Sequence, residues 1–403
     1  MYSESVLARC VGPLLSICIL VATAFVPAAS SLARDGDDRD DDANDPVVLS
    51  FSAVGDSRQD PVSPDPTTVP VSGQDKIWLQ NTKAWSRIMR SVQSQKPNLF
   101  FFNGDMIMGY GKAGLPANVS TVPAIVGSDL VQFYTQYAFW RGMVTFLLET
   151  GTYVIPVPGN HETQSKALGK KAQPENEDAW RANMGDLILD TARFSDLFNE
   201  LPTNVNVGNN ASADGLSTNQ AQLSYSFDFH GSHFAVINTD PVGKDAHAPT
   251  AWLASDLLSA SSRGLKHFFV FGHKPAFTYY YGANPASPLP AAPSGLDNDV
   301  VARDAFWRVI EQYGATYFCG HEHIFHISRP LAGRGGSAVQ VLVGSGGSPF
   351  AAKPTDVTVS ETDRVYAWAT VKVHRSGRVQ ITAYGFDDQF DATTVLQKIT
   401  LPR

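Results

Sequence analysis

Short apolar runs, each broken off by a glycine, recur along the chain. Asn98-Leu99-Phe100-Phe101-Phe102 and His267-Phe268-Phe269-Val270-Phe271 are aromatic or β-branched and bounded by turn residues, which predicts buried strands. Elsewhere the period lengthens. Trp85, Ile88, Met89 and Val92 fall at i, i+3, i+4 and i+7, as do Phe306, Val309, Ile310 and Tyr313, the second set stopped by Gly314. Both patterns predict helices whose aromatic stripe packs into a core. Each helix leads into a glycine-terminated strand, at Leu99 and at Tyr317. Strands alternating with helices predict a layered α/β domain, with no internal repeat and no break suggesting a second domain.

The glycines also place chemistry. Gly55-Asp56, Gly104-Asp105, Gly159-Asn160, Gly272-His273 and Gly320-His321 each set a potential metal ligand directly after an apolar run, and the last continues to His323. Glycine turns the backbone sharply without a Cβ clash and so delivers the next side chain to the sheet edge, where open α/β sheets bind ligands. Alone, Gly-Asp after a strand is usually a turn, and Asn160-His161 could be a cap or a satisfied loop histidine. Five such pairs in series point instead to convergence on one place. Two carboxylates, one amide and three imidazoles without a thiolate suit Mn, Fe, Zn or Co. Six side chains exceed what one ion needs if it keeps an open position, so two ions sharing a carboxylate are the economical arrangement. Such a pair, about 3.5–4 Å apart, clamps the attacking and leaving oxygens of a phosphoryl displacement.

The series Gly55-Asp56-Ser57-Arg58, Gly104-Asp105, Gly159-Asn160-His161-Glu162, Gly272-His273-Lys274-Pro275 and Gly320-His321-Glu322-His323 resembles the calcineurin-like metallophosphoesterase superfamily, from about Val47 to near the C-terminus. Val270 to His273 is similar to the fourth motif, Val-x-x-His, of its purple acid phosphatase branch. Tyr225–Asp228, His233–Asp240, Trp252-Leu253 and Gly344–Gly347 also look like family segments. The resemblance implies two packed mixed β-sheets flanked by helices, a four-layer αββα sandwich. It implies a metal-dependent phosphoric ester hydrolase that acts by in-line attack of metal-bound hydroxide. Carried over by position, Asp56 and His323 would hold the first of two divalent or trivalent ions, Asp105 would bridge, and Asn160, His273 and His321 would hold the second. His161 would lie beside the scissile phosphate, protonating the leaving alkoxide or stabilising phosphoryl charge.

Two positions depart from the family pattern. Arg58 stands where the common Asp-x-His motif has a metal-binding histidine, and Met108 where purple acid phosphatases have an iron-binding tyrosine. The first site is therefore expected to be weaker or more hydrated and not of the tyrosinate type. Arg58 either grips a phosphate oxygen or forms a loop salt bridge with Asp60 or another carboxylate. Two further readings of the chain stay open: a phosphodiesterase acting on cyclic nucleotides or lipid head groups, and a catalytically silent metal- or phosphate-binding homologue. His230, His233, His247, His267 and His326 have no such setting and read as structural. A zincin H-E-x-x-H motif fails because Phe325 occupies the position of its second histidine.

Outside the motifs, the apolar stretch Val11 to Val26 follows Arg9 and precedes Ala28, Ala29, Ser30 and Ala33. This predicts a secretory signal over 1–33, too short for a comfortable membrane span. Asp35 to Asp45 holds seven aspartates, which predicts a disordered spacer over 34–46 ahead of a catalytic domain over 47–403. The expected location is secreted or periplasmic, with no stable membrane span after cleavage. Of the three cysteines only Cys319 would remain, so no intramolecular disulfide is expected. Net charge of −8 argues against a nucleic-acid backbone as partner. Asn118-Val119-Ser120 and Asn210-Ala211-Ser212 are glycosylation sequons that matter only in a eukaryotic secretory host. Gly109–Ser128, Gln164–Ala221 and Gly282–Asp299 follow metal motifs and are expected to wall the site and choose the phosphate-ester substrate. Tyr279-Tyr280-Tyr281 would pack plainly or stack on an aromatic leaving group.

Overall fold

Phe51 is the hub of the interior: its ring meets those of Phe101, Phe234, Phe269, Phe271 and Phe318 at centroid distances of 4.8–5.7 Å, all edge-on. Edge-to-face contact suits the aromatic quadrupole and adds to the burial of large rings. Phe51 and Phe101 come from one sheet and the other four from a second, so the two sheets are joined face to face. The computed structural model describes residues 44–58, 82–208, 211–279, 293–351 and 364–401, all within one unit, Ala43–Arg403. The expected signal and nearly all of the spacer, Asp60, Asn210, Tyr280 and Tyr281 lie outside them.

The first half of the chain runs β1 (Val47–Val54), α1 (Thr82–Gln95), β2 (Leu99–Phe102), α2 (Val122–Val126), α3 (Asp129–Glu149), β3 (Tyr153–Pro156), α4 (Asn160–Thr163), β4 (Gln164–Ser165), β5 (Lys171–Ala172), α5 (Pro174–Met184), α6 (Thr191–Phe198) and β6 (Thr203–Asn206). The second half runs β7 (Tyr225–Phe229), β8 (Ser232–Val236), α7 (Thr250–Ser262), β9 (His267–Phe271), α8 (Val300–Tyr313), β10 (Thr316–Cys319), β11 (Phe325–Ser328), β12 (Val339–Val343), β13 (Val365–His374), β14 (Val379–Asp387) and β15 (Thr394–Thr400). One sheet has the order β15-β14-β13-β1-β2-β3 and the other β11-β12-β10-β9-β8-β7-β6, with β4-β5 a separate hairpin. β1, β2 and β3 are parallel, as are β8, β9, β10 and β12. The expected pair of mixed sheets flanked by helices is the observed fold.

Strand periodicity explains why these runs are continuously apolar. On β2, Phe101 points to the other sheet, while Phe100 and Phe102 lie under the helices, Phe102 against Trp85 of α1 and Trp140 of α3 at 5.0 and 5.2 Å. On β9, Phe269 and Phe271 join the inter-sheet core, whereas Phe268 and Val270 pack with Trp252 and Leu253 of α7 and Phe306 and Trp307 of α8. α8 is capped by Asp299, whose side chain accepts from the Val301 and Ala302 N–H groups, and is closed by Gly314 with φ +59°, the stop its sequence predicted. The described residues of Gln164–Ala221 hold α5, α6 and three short strands. These helices are anchored by buried Trp180 and Phe194, whose spacing is too sparse to signal them in sequence.

Away from the strand ends that carry the motifs, His233 bridges two carboxylates, Asp228 at 2.7 Å and Asp256 at 3.0 Å, and Arg263 closes on Asp228. Burial works against a charged imidazole here, but the two carboxylates outweigh it and raise His233 above its ordinary 6.5. Asp228 is held below 3.8, its own burial overridden by His233 and Arg263. The pairing thus stabilises the fold fully below about pH 6.5 on the histidine side and fades as pH climbs through the raised value. On the carboxylate side it fades as pH falls through the lowered one. Removing one member of a buried ion pair costs about 3–5 kcal/mol. Because polar neighbours remain, His233→Leu is expected to cost about 3 kcal/mol, the low end of that range, near pH 6. The gap to wild type should narrow in alkaline buffer, as read from urea unfolding midpoints; an equal gap at both pH values would refute the charged pairing.

Candidate metal centre

All six predicted ligands lie at or just beyond strand ends: Asp56 after β1, Asp105 after β2, Asn160 after β3, His273 after β9, and His321 and His323 between β10 and β11. The turns that deliver them are tight. Gly104 has φ +83°, and a Cβ there would stand 2.6 Å from His273 Nδ1 and 2.7 Å from the Gly159 Cα, so only glycine lets three motif loops approach this closely. Asp56, Asp105 and His321 are themselves left-handed, with φ of 63°, 56° and 72°. Such conformations cost non-glycine residues about 1–3 kcal/mol each and cluster where the surrounding structure enforces them.

Backbone contacts fix these loops to one another. Asp56 N donates to Gly104 O, Arg58 N to Asp105 O, Gly55 N to Val343 O, Gly346 N to Gly55 O and Ser348 N to Asp56 O, at 2.8–3.0 Å. The Gly344–Gly347 segment is therefore a brace for the Asp56 loop. Two buried glutamates inside the motifs, which sequence reasoning left without a role, act similarly. Glu162 accepts from the N–H groups of Asp105, Met106, Ile107 and Gly159 at 2.8–3.2 Å. Glu322 accepts from Tyr279 N at 2.6 Å. Position four of Gly-Asn-His-Glu and three of Gly-His-Glu-His was the available signal.

Around Asn160 four donor atoms meet. His273 Nε2 is 2.9 Å from Asn160 Oδ1, 3.2 Å from Asp105 Oδ1 and 3.2 Å from His321 Nδ1, and His321 Nδ1 is 2.9 Å from Asn160 Oδ1. A tetrahedral zinc shell with bonds of about 2.0–2.1 Å has edges of about 3.3 Å, so this set is already at coordination spacing. In neutral His273, Nδ1 donates to Asn103 O at 2.7 Å and leaves the Nε2 lone pair aimed inward. Beside it Asp56, Asp105 and His323 form a second group, and within each group of acidic and imidazole side chains the ligand atoms lie within 4.8 Å of one another. Asp105 belongs to both. His323 Nδ1 donates to Pro349 O, turning Nε2 to within 3.5 Å of Asp56 Oδ1, a buried oxygen that accepts no hydrogen bond.

The electrostatics call for a cation. Burial and the Asp105 charge push Asp56 well above the usual carboxylate range, whereas Asp105, buried too, is held well below it by His161, His273 and Arg58. Burial opposes charge on His273, yet Asp105 and Asp56 draw it up to about 10. Burial drives His323 down to about 3, helped by Arg58, and lowers His321 well below 6.5. Positive charge is thus demanded next to Asp105 and Asp56, with two neutral imidazoles presenting lone pairs to it. The residues fit a pair of ions sharing Asp105.

Among the described residues Arg58 leans on Asp105, with Asp60 lying outside them: Nε is 3.6 Å from Asp105 Oδ2, Nη2 is 3.5 Å from His323 Nε2 and Nη1 contacts Met108 Sδ. His161 Nε2 is 3.7 Å from Asp105 Oδ2, and its Nδ1 donates to Met108 O. Burial takes this imidazole down to about 3, against the pull of Asp105, so it rests neutral with Nε2 as an acceptor. Tyr279 stacks on His326 with centroids 3.6 Å apart, which is the plain packing role. His230 bonds Val48 O and Glu200, and His247 bonds Asp245 O and Asp299, neither reaching the cluster.

The sequence profile of the calcineurin-like phosphoesterase family matches residues 77–325. The chain belongs to that family. A purple acid phosphatase from yellow lupin (Lupinus luteus) seeds shares the fold with a TM-score of 0.52 at 11% identity, covering 87% of this chain and 53% of that one. The chain spans about half the length of the lupin protein. GAP50, described as the anchor in the inner membrane complex of Plasmodium, and a dimetal phosphatase from Danio rerio are each 11% identical, with TM-scores of 0.41 and 0.40. They cover 88% and 99% of their own lengths and 88% of this chain. No curated protein matches the sequence.

Glu162 supplies a test of the scaffold. Glu162→Gln replaces one acceptor oxygen with an amide that faces backbone N–H donors. It is expected to lower stability by about 2 kcal/mol, as for a buried donor left unpaired. Supporting contacts of this kind are worth about 10–100-fold in metal affinity, and a comparable loss should appear in calorimetric titration of Mn(II). Wild-type affinity together with a wild-type melting temperature would rule the role out.

Proposed function

We propose that this is an exported dinuclear phosphoesterase acting on phosphate esters. The observation that supports it most is the meeting of Asp105, Asn160, His273 and His321 at 2.9–3.2 Å around one point, with Asp56 and His323 forming a second group that shares Asp105. Bound there, two ions would activate water and neutralise charge on the phosphoryl oxygens. Asp105 would balance both, while Asn103 O and Pro349 O keep the His273 and His323 rings turned inward. Arg58, at the edge of the first group, has a forked cation suited to a phosphate oxygen. His161 stands on the Asp105 side with Nε2 directed inward, where it can take up a proton that arrives with the substrate and return it to the leaving oxygen. Similarity to the lupin enzyme supports the fold that this reading needs, and Met108 at the position of the expected iron-binding tyrosine argues against an iron of the tyrosinate type. Export rests on the N-terminal sequence. Among the described residues no helix is long and apolar enough to cross a membrane.

Arg58 also favours a second reading. Its guanidinium already sits between Asp105 and His323, so it competes with the first ion, and a protein that fills only the second position could bind phosphate without turnover. Assay on p-nitrophenyl phosphate and bis-p-nitrophenyl phosphate with Mn, Zn, Fe or Co added singly separates the readings and ranks monoester against diester. No turnover with any metal would leave the binding protein.

Two variants sharpen the roles. Arg58→His is expected to add a nitrogen ligand and tighten the first ion, while Arg58→Lys should weaken inorganic phosphate binding by about 1.5–3 kcal/mol with metal content intact. Unchanged phosphate affinity in Arg58→Lys would remove the clamp. His161→Asn should lower kcat by about 10²–10⁴-fold while both metals stay bound. The loss should be smaller for p-nitrophenyl phosphate than for an alkyl phosphate, because only the alkoxide needs protonation. Equal losses on the two would argue for charge stabilisation instead.

A further inference from the structure

Tyr110 lies outside every motif, yet the chain is bent to bring it against two of them. Gly109 has φ +47°, and a Cβ there would stand 1.9 Å from His161 O, so no other residue can pass this point. Tyr110 then takes φ 61°, a conformation a bulky residue adopts only under constraint. Main-chain contacts hold it: Tyr110 N donates to His161 O at 3.1 Å and Lys166 N donates to Tyr110 O at 2.8 Å, while Gln136 of α3 fixes the preceding turn by accepting from Met108 N at 2.7 Å. As a result the phenol ring lies on the His161 imidazole with centroids 3.7 Å apart, and its hydroxyl accepts from Asn160 Nδ2.

An amide ligand has a problem that a carboxylate lacks: its two ends differ, and only the oxygen can hold a metal. With Nδ2 held by the Tyr110 hydroxyl, Oδ1 is the end left facing His273 Nε2 and His321 Nδ1. The same ring covers one face of His161, whose in-plane rotation is stopped by Met108 O at Nδ1. We propose that Tyr110 is a positioning residue that locks the Asn160 amide oxygen-inward and holds the His161 ring beside Asp105, so that one side chain sets both a metal ligand and the leaving-group imidazole. This rests on the phosphoesterase reading above.

Tyr110→Phe removes only the hydroxyl and keeps the ring; Tyr110→Ala removes both. Supporting groups of this kind are worth about 10–100-fold in metal affinity. In calorimetric titration of metal-stripped protein with Mn(II), Tyr110→Phe should therefore weaken the tighter step by about tenfold, with the melting temperature of the stripped protein unchanged. Its preference between p-nitrophenyl and alkyl phosphate should stay that of wild type, because the ring still holds His161. Tyr110→Ala should shift that preference towards the pattern of His161→Asn as well. In an Asn160→Ala background, Tyr110→Phe should change Mn(II) affinity less than about twofold, since coupled residues are not additive. Unchanged Mn(II) affinity in Tyr110→Phe overturns the proposal, and so does a loss of affinity matched by a lower melting temperature, which would assign the tyrosine to the fold. A wild-type protein that takes up no cation would bring down the phosphoesterase reading and this inference together. Wild-type uptake with an unaffected Tyr110→Phe would sink this inference alone.

Discussion

Asp56 and Asp105 are both buried, and two carboxylates side by side in a low-dielectric interior cannot both stay ionised without positive charge between and around them. Much of the surrounding arrangement answers that demand. His273 is drawn towards the charged form, Arg58 leans on Asp105, and Asp56 is driven towards protonation. His321 and His323, by contrast, are kept neutral by burial, which is the state in which an imidazole can donate a lone pair. A site that is anionic at its centre and lined with neutral nitrogen donors is matched to metal ions more closely than to protons.

Holding such a site open costs backbone strain and buried polar groups, and the fold supplies the stiffness. The Phe51 cluster clamps the two sheets together, and β1, β2 and β3 on one side and β9 and β10 on the other end at a common edge. The loops leaving those strands are cross-braced by main-chain hydrogen bonds and by Glu162 and Glu322. Left-handed Asp56, Asp105 and His321 persist because this bracing leaves no room to relax. The same logic extends to Tyr110, forced over His161 by a glycine that nothing else could replace.

Much of this was written in local sequence. Strand runs such as Leu99–Phe102 announce themselves because both of their faces are buried, and α1 and α8 because one face is. The ligand series was legible because each member follows a glycine that the turn requires, and glycine requirements are local. Sequence left open what Arg58, Glu162, Glu322 and Tyr110 do, and it missed the helices inside Gln164–Ala221. Asp105 and His323, which Arg58 meets among the described residues, lie 47 and 265 residues away in the chain and become neighbours only when strand ends of the two sheets converge. Local chemistry thus determined which side chains could meet a metal and where the backbone had to turn. Only tertiary packing decided which carbonyls orient the imidazoles, which carboxylates brace the loops and which aromatic ring covers His161, because those choices depend on contacts between segments far apart in sequence.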